Sequence, residues 1–221
     1  GVAEPTAFYT DWFGTPLNAE AFTEQGREMA LGATVFHWGL HAWAIYGMTA
    51  LCLAYFVYNK GLPLSMRSIF YPLLGDRVWG KLGDVIDVMA VLVTLFGLAT
   101  SLGLGGAQAA SGISHVLGFK SSLLLQQGII LLIMSLAILS IVRGMDGGVK
   151  LLSNINMGIA FVFLGLVFIL NFTTVLDSAY TAVIGYVKNI IPLSSSTGRE
   201  DTQWLHGWTV SYWAWWVAYA P

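Results

Sequence analysis

Residues 121–142 read SSLLLQQGIILLIMSLAILSIV, a stretch without a single Asp, Glu, Lys or Arg. A bilayer core about 30 Å thick requires about 20 apolar residues in one helix, because every backbone polar group must be satisfied inside the segment. Further windows that meet this length are about 32–58, 84–117 and 150–176. Two partial spans are predicted at 206–221 and at 1–9, the latter leaving the membrane at Glu4-Pro5, since proline often ends a helix. The sequence therefore predicts an all-α, polytopic membrane protein.

The composition supports lipid as the solvent of this chain. Hydrophobic residues make up 56% of it and charged residues 10%, whereas a soluble domain carries roughly a quarter charged residues. The formal net charge of −2 and the lack of a long Lys/Arg tract argue against nucleic acid as a partner. The single cysteine, Cys52, excludes an internal disulfide and a cysteine-based zinc site.

The distribution of charge predicts the orientation. Basic residues dominate the connections at 59–83 and 143–150, so the positive-inside rule places both in the cytoplasm. The stretches before about 32 and at 177–203 are then external, and apolar residues at helical spacing over about 178–191 predict an amphipathic interfacial helix there. Because the chain has no initiator Met and stops inside an aromatic run, a piece of a longer protein is expected.

Two aromatic stripes are the main candidates for function. At about 100° per residue, Trp43 lies about 140° and Tyr46 about 80° from Trp38, so the three rings share one face of a continuous helix. A second stripe follows near the C-terminal end. It contains Trp213, Trp215, Trp216 and Tyr219. An interfacial belt explains two or three aromatics at one depth, but the second stripe covers several turns, which favours an internal role.

Facing aromatic stripes with almost no charge are suited to a trimethylammonium cation. Such a cation donates no hydrogen bond and spreads its charge over methyl groups, so the faces of Trp and Tyr rings bind it well. Each contact is worth roughly 0.5–2 kcal/mol. This argument predicts binding, and it fits a transporter and a non-transporting receptor or osmosensor equally.

Other polar features have competing interpretations. The glycine tract 97–112 favours close helix packing or a hinge, and the hydroxyl of Thr94 is able to ligate sodium or to bond back to its own helix. His37 and His41 are four residues apart, but no carboxylate or Cys within a turn completes a metal site, so a hydrogen-bonding role is favoured. No nucleophile-base pair, P-loop or dinucleotide turn is present, so neither an enzyme nor a bound cofactor is expected.

Several motifs in order along the chain resemble the betaine/choline/carnitine transporter (BCCT) family. The matching stretches are Glu4-Pro5, Phe36-His37-Trp38, Trp43-Ala44-Ile45-Tyr46, Ser101-Leu102-Gly103-Leu104-Gly105, Leu152-Ser153-Asn154, Asn156-Met157, Trp208-Thr209 and Tyr212-Trp213-Ala214-Trp215-Trp216. The last of these is the most specific. The resemblance implies a secondary transporter with two inverted five-helix repeats, of which this chain covers the end of the third through most of the eighth transmembrane helix.

The resemblance also implies roles for individual residues. Trp38, Trp43 and Tyr46 match one wall of the family's aromatic box, and the helix that closes it carries Trp215, Trp216 and Tyr219. Trp213 would lie nearby on the access path. The implied protein is a homotrimer of the bacterial inner membrane that takes up glycine betaine, choline or carnitine together with an ion.

Four positions concern the choice of solute and coupling ion. Tyr219 stands where sodium-coupled betaine carriers have Trp, as in carnitine-type members. Thr94 matches one of two threonines at a sodium site, while Leu98 does not match the other. Met157 stands where a sodium-independent antiporter of the family carries arginine. The neutral residue favours an ion-coupled symporter, with Na⁺ preferred over H⁺.

Overall fold

The computed structural model describes residues 3–219, apart from the side chains of residues 145, 146, 218 and 219. The α-helices are α1 Ala3–Tyr9, α2 Glu24–Trp38, α3 Leu40–Ala54, α4 Tyr71–Leu74, α5 Lys81–Leu117, α6 Leu123–Val142, α7 Lys150–Leu170, α8 Phe172–Ser194, α9 Thr202–Trp204 and α10 Ser211–Tyr219. Short 3₁₀ turns occupy Pro16–Asn18, Met66–Phe70 and Gly75–Trp79, and π-helical turns occupy Tyr55–Asn59, Met145–Val149 and Leu205–Val210. No strand occurs within residues 3–219, so the all-α prediction is confirmed.

Four stretches are long and apolar enough to cross a membrane. They are Glu24–Asn59, Lys81–Leu117, Leu123–Val142 and Gly147–Leu170, with mean hydropathies between 1.5 and 2.2. Their side chains are largely exposed within the chain, as expected of helices that face lipid or further helices. The polytopic character predicted from the sequence is therefore confirmed.

The first apolar window is not one continuous helix. It is interrupted at Gly39, whose backbone leaves the helical conformation (φ −94°, ψ −137°) between α2 and α3. The Gly39 N–H still donates to the Val35 carbonyl (2.7 Å), and a Cβ on residue 39 would lie 2.5 Å from that oxygen. The angles calculated for one continuous helix therefore do not apply between Trp38 and the two rings of α3.

Two other boundaries differ from the sequence predictions. Helix α1 does not end at Glu4-Pro5; it runs from Ala3 to Tyr9, because proline in a first turn removes an N–H that has no intrahelical partner. The window predicted at 150–176 is divided near Asn171. Helix α8 begins at Phe172 and continues through the predicted interfacial segment without a break.

The chain folds as two compact units. One consists of Gly1–Leu95 with Thr173–Pro221, and the other of Phe96–Phe172. In the second unit, the Gln126 side-chain amide donates to the Gly103 carbonyl (3.0 Å), and a Cβ on Gly106 would lie 2.8 Å from Ile130. Part of the glycine tract thus packs closely against α6, as the packing interpretation predicts.

The first unit has a core of small and aromatic side chains. Its buried members are Ala7, Phe8, Ala30, Ala33, Phe36, Tyr186, Leu193 and Trp204. Helices α2 and α8 cross where Gly32 meets Gly185, since a Cβ on Gly32 would lie 2.5 Å from the Gly185 carbonyl carbon. Ion pairs Lys188–Glu28 (3.0 Å) and Arg27–Asp177 (2.5 Å) flank the crossing. This packing holds the C-terminal half of α2, and with it the aromatic segment, in place.

Candidate functional site

Four predicted site residues come together in one aromatic cluster. Trp216 of α10 lies at its centre, with ring centroids 5.5 Å from Trp38, 6.4 Å from Trp43 and 5.3 Å from Tyr46. Trp43 and Tyr46 are 6.0 Å apart. The contacts of Trp216 with Trp38 and Tyr46 are nearly perpendicular, a favoured geometry for aromatic pairs. Residues from both sequence stripes thus form one cluster, and Trp38, Trp43, Tyr46 and Trp216 are called the aromatic cluster below.

The helix break at Gly39 positions Trp216. Carbonyls in the last turn of a helix have no intrahelical partner, and the His37 carbonyl belongs to the last turn of α2. The indole N–H of Trp216 donates to this carbonyl at 3.1 Å. The interruption of α2 therefore supplies the hydrogen-bond acceptor that fixes the central ring.

A buried carboxylate positions Trp38. The indole N–H of Trp38 donates to Glu4 Oε2 at 2.5 Å, and the other carboxylate oxygen, Oε1, interacts with His37 Nδ1. His37 Nε2 lies 2.9 Å from the Thr209 hydroxyl. Glu4 is 2% exposed and His37 is fully buried. This chain of hydrogen bonds connects α1, the end of α2 and the π-helical turn Leu205–Val210.

Aromatic packing encloses His37. Its ring stacks on Tyr212 (4.8 Å, 9° between planes) and on Trp204 (5.2 Å, 11°). Phe8 meets it edge-on at 5.8 Å. The imidazole is thus held in one orientation by rings as well as by hydrogen bonds.

The remaining aromatic residues predicted for the site are Trp213, Trp215 and Tyr219. Trp213 packs on Phe36 (5.1 Å) and near His37 (5.8 Å), so it contributes to the interior next to the cluster. Trp215 contacts Tyr212 at 6.3 Å on its own helix. Tyr219 is the last residue of α10, and its side chain lies outside the described part of the chain.

The whole chain, residues 1–221, matches the model of the betaine/carnitine/choline family of transporters. The chain belongs to this family. This membership agrees with the resemblance drawn from the motifs. The members of this family are transporters and not enzymes.

Relatives in the family include several named carriers. The chain is 58% identical over 220 residues to a glycine betaine/proline/choline/ectoine transporter and 60% identical over 220 residues to a glycine betaine transporter, both of Vibrio parahaemolyticus. It is 39% identical over 225 residues to the glycine betaine transporter OpuD of Bacillus subtilis. All of this chain is covered in each comparison, together with 39%, 42% and 43% of the respective relatives. The chain thus spans about two fifths of the length of these relatives.

The two histidines are engaged in hydrogen bonds at both ring nitrogens. His37 contacts Glu4 and Thr209, while His41 contacts the Tyr186 hydroxyl (3.1 Å) and the Ser194 hydroxyl (3.0 Å). No group of three or more His, Cys, Asp or Glu side chains suited to a metal occurs in the described part of the chain. The hydrogen-bonding interpretation of the histidine pair matches these contacts.

Thr94, the candidate sodium ligand, bonds back to its own helix. Its hydroxyl donates to the Ala90 carbonyl at 2.9 Å, the common arrangement of threonine in membrane helices. The hydroxyl oxygen keeps lone pairs for an ion, so its role as a ligand stays a prediction.

Glu4 is the residue that sequence analysis missed. Its motif with Pro5 pointed to the family and to a helix end, but not to contact with the aromatic cluster. A carboxylate among Val2, Ala3, Ala7 and Phe8 is itself a signal, because charge in an apolar membrane segment is costly and usually functional. The sequence does not show that Trp38 is the partner of Glu4, because the two residues are 34 positions apart in the chain.

Proposed function

We propose that the protein is a secondary transporter that takes up a trimethylammonium solute across a bacterial cytoplasmic membrane by alternating access. The observation that carries this proposal is the aromatic cluster, formed by rings from α2, α3 and α10 in a chain of this transporter family. Glycine betaine and choline are the favoured solutes, because they occur in the names of the relatives. Carnitine is a further candidate because of Tyr219.

The chemistry of the cluster supports this choice of solute. Cation–π contacts with Trp and Tyr contribute roughly 0.5–2 kcal/mol each and grow as water is removed. Three or four such contacts bind a methylated cation without a carboxylate in direct contact with it. Trp43, 64% exposed in this chain, presents much of its ring outside the cluster.

The architecture around the cluster supports a transport mechanism. Substrate sites of secondary transporters are commonly built next to interrupted helices, whose ends supply free backbone groups. The site has such an interruption at Gly39, and Trp216 bonds to the carbonyl freed there. Relative movement of α2 and α10 would break this bond and separate the rings, which provides a route for releasing the solute.

Coupling to sodium is part of the proposal. Thr94 supplies one candidate hydroxyl ligand, and Met157 leaves no fixed positive charge at its position that would replace an ion. Proton coupling is the competing mechanism, and the two predict different dependences of uptake on the external ion.

The proposal extends to assembly as a homotrimer. The exposed apolar side chains of α8 supply a candidate contact surface at helical spacing: Tyr180, Val183, Val187 and Ile191. Native mass spectrometry of the full-length protein in mild detergent measures the number of subunits.

The deciding experiment is uptake by the full-length protein in proteoliposomes. Radiolabelled glycine betaine and choline are supplied with an inward sodium gradient, an inward proton gradient or neither. Accumulation that requires the sodium gradient supports the proposal. Accumulation that requires only the proton gradient would identify H⁺, and not Na⁺, as the coupling ion. Saturable binding without accumulation under either gradient would indicate a receptor and overturn transport.

A further inference from the structure

Glu4 is a buried acidic residue placed directly behind the aromatic cluster. Its two side-chain oxygens contact two ring nitrogens: Oε1 contacts Nδ1 of His37, and Oε2 accepts the indole N–H of Trp38. The phenol of Tyr212 also interacts with it. These partners come from α2 and α10, while Glu4 is on α1.

The Trp38 indole fixes one hydrogen-bond direction in this network. The Trp38 indole is a donor only, so Oε2 accepts. With His37 Nδ1 donating to Oε1, the other imidazole nitrogen accepts from the Thr209 hydroxyl, and all three bonds are satisfied with a neutral imidazole. In this arrangement Glu4 is a carboxylate that accepts the Trp38 N–H directly behind the aromatic cluster.

We propose that Glu4 is a positioning and electrostatic residue of the solute site, which gives the aromatic cluster its preference for a cation over a neutral ligand of the same shape. It acts through the Trp38 N–H and does not touch the solute. This inference rests on the proposed binding of a trimethylammonium solute by the aromatic cluster.

Two physical effects act in the same direction. A carboxylate that accepts the indole N–H pulls the hydrogen toward itself and leaves the indole ring richer in electron density, which strengthens its attraction for a cation. The carboxylate also attracts the bound cation through a low-dielectric interior, where screening by water is weak. An unsolvated charge in a membrane segment is otherwise costly, and a cation in the cluster would offset that cost.

The test compares choline with 3,3-dimethylbutan-1-ol, a neutral molecule of the same shape, on the full-length protein. The ratio of their dissociation constants measures the preference for charge and is insensitive to a uniform loosening of the site. Glu4→Gln keeps the size of the side chain and one acceptor oxygen for the Trp38 N–H, and it removes the charge. We expect choline affinity to fall about tenfold, and the affinity for the neutral molecule to change less than about twofold.

The matched control is Glu20→Gln, the same chemical change at an exposed position. It should leave the ratio unchanged. If Glu4→Gln retains the wild-type ratio, or weakens both ligands equally, the electrostatic role is overturned and Glu4 is purely structural. If the wild-type protein itself shows no preference for choline, the proposed function fails instead.

A second pair of variants carries the test if Glu4→Gln does not fold. Trp38→Phe keeps a ring and the carboxylate but removes the N–H between them, while Trp43→Phe makes the same change at a cluster ring that lies outside the Glu4 network. The ratio should fall at least about threefold further for Trp38→Phe than for Trp43→Phe. Equal falls would overturn the proposal.

Discussion

At the scale of single residues, Trp216 has the largest set of contacts in the aromatic cluster. It meets Trp38, Trp43 and Tyr46, and its N–H is fixed by the His37 carbonyl. The sequence contains five tryptophans between residues 204 and 216, at 204, 208, 213, 215 and 216. Composition alone does not distinguish among them, because each is an amphipathic ring that is suited to packing and to cation binding. The direction of α10 decides that Trp216 reaches the rings of α3.

Replacement of Trp216 by leucine should weaken binding of choline or glycine betaine. The loss of one central cation–π contact predicts a fall in affinity of roughly 2- to 30-fold. Equilibrium binding of radiolabelled choline to the purified full-length protein measures it. The matched control is Trp79→Leu, at a partly exposed ring on the connector before α5, which should bind as the wild type does. Equal affinities for wild type and Trp216→Leu would contradict the site.

At the scale of helices, two glycine positions determine how the aromatic segment is presented. Gly39 ends α2 and starts α3, while the Gly32–Gly185 contact allows α8 to approach α2. The sequence predicts helices here because the hydrophobic run is long, but a hydropathy window does not detect a one-residue interruption. The close approach of α2 and α8 depends on Gly185 as well as on Gly32, and these two residues are 153 positions apart in the chain. The break at Gly39 and the contact between Gly32 and Gly185 both depend on the positions of backbone atoms, which an analysis of hydrophobic periodicity does not include.

Replacement of Gly39 by alanine should disturb the solute site. The new Cβ would lie 2.5 Å from the Val35 carbonyl oxygen, so the end of α2 must shift and carry Trp38 and the His37 carbonyl with it. Steric strain of about 1–3 kcal/mol corresponds to roughly 5- to 150-fold if it appears fully in binding. Binding of radiolabelled choline tests this. Gly47→Ala, where nothing lies within 4 Å of the added atom, should remain within about twofold of wild type.

Replacement of Gly185 by alanine should destabilise the protein. Its Cβ would lie 2.4 Å from the Glu28 carbonyl oxygen, which belongs to the backbone of α2 and has little freedom to move. Overpacking of this kind costs about 1–3 kcal/mol. Differential scanning fluorimetry in detergent should register a lower melting temperature. In Gly158→Ala of α7, where nothing lies within 4 Å, the temperature should stay the same or rise, because alanine favours a helix over glycine. An unchanged Gly185→Ala melting temperature would contradict the close crossing.

At the scale of the whole molecule, contacts between distant segments close the first unit. Asp201 forms a two-point ion pair with Arg199 (2.5 and 2.6 Å) and accepts the Leu17 amide at 2.7 Å, across 184 residues. Arg199 also donates to the Pro192 carbonyl at the end of α8 (2.9 Å). Burial by itself raises the pKa of Asp201, but hydrogen bonds from Arg199 and from Leu17 outweigh it and hold this pKa below its ordinary value.

This ion pair makes stability depend on pH in one direction. A carboxyl whose pKa is lower in the folded state contributes stability that is present above its unfolded value of about 3.9 and is lost as the pH falls through the folded value. At pH 7, Asp201→Asn should therefore lower the free energy of unfolding by about 3–5 kcal/mol, because it leaves Arg199 unpaired.

The measurement is thermal unfolding of wild type and Asp201→Asn between pH 7 and pH 3. Their difference should begin to shrink below about pH 4, where Asp201 of the unfolded wild type binds a proton, and should shrink further as the pH falls toward the lower pKa of the folded state. Glu200→Gln, at the exposed neighbour, should follow the wild type throughout. A difference that persists unchanged at pH 3 would contradict the role of the carboxylate charge.

The sequence by itself determined the solvent, the helical class and the family. Runs of about 20 apolar residues permit only helices in lipid. The family follows from the aromatic motifs and their order along the chain, which are properties of the sequence and do not depend on how it folds. Only the tertiary structure decided which aromatics form one cluster, that Gly39 interrupts the first span, and that Glu4 stands behind Trp38. The reason is physical: helix formation depends on neighbours within four residues, whereas the Trp216–His37 and Glu4–Trp38 bonds join residues 179 and 34 apart. Such contacts depend on how the helices pack, which local periodicity does not specify.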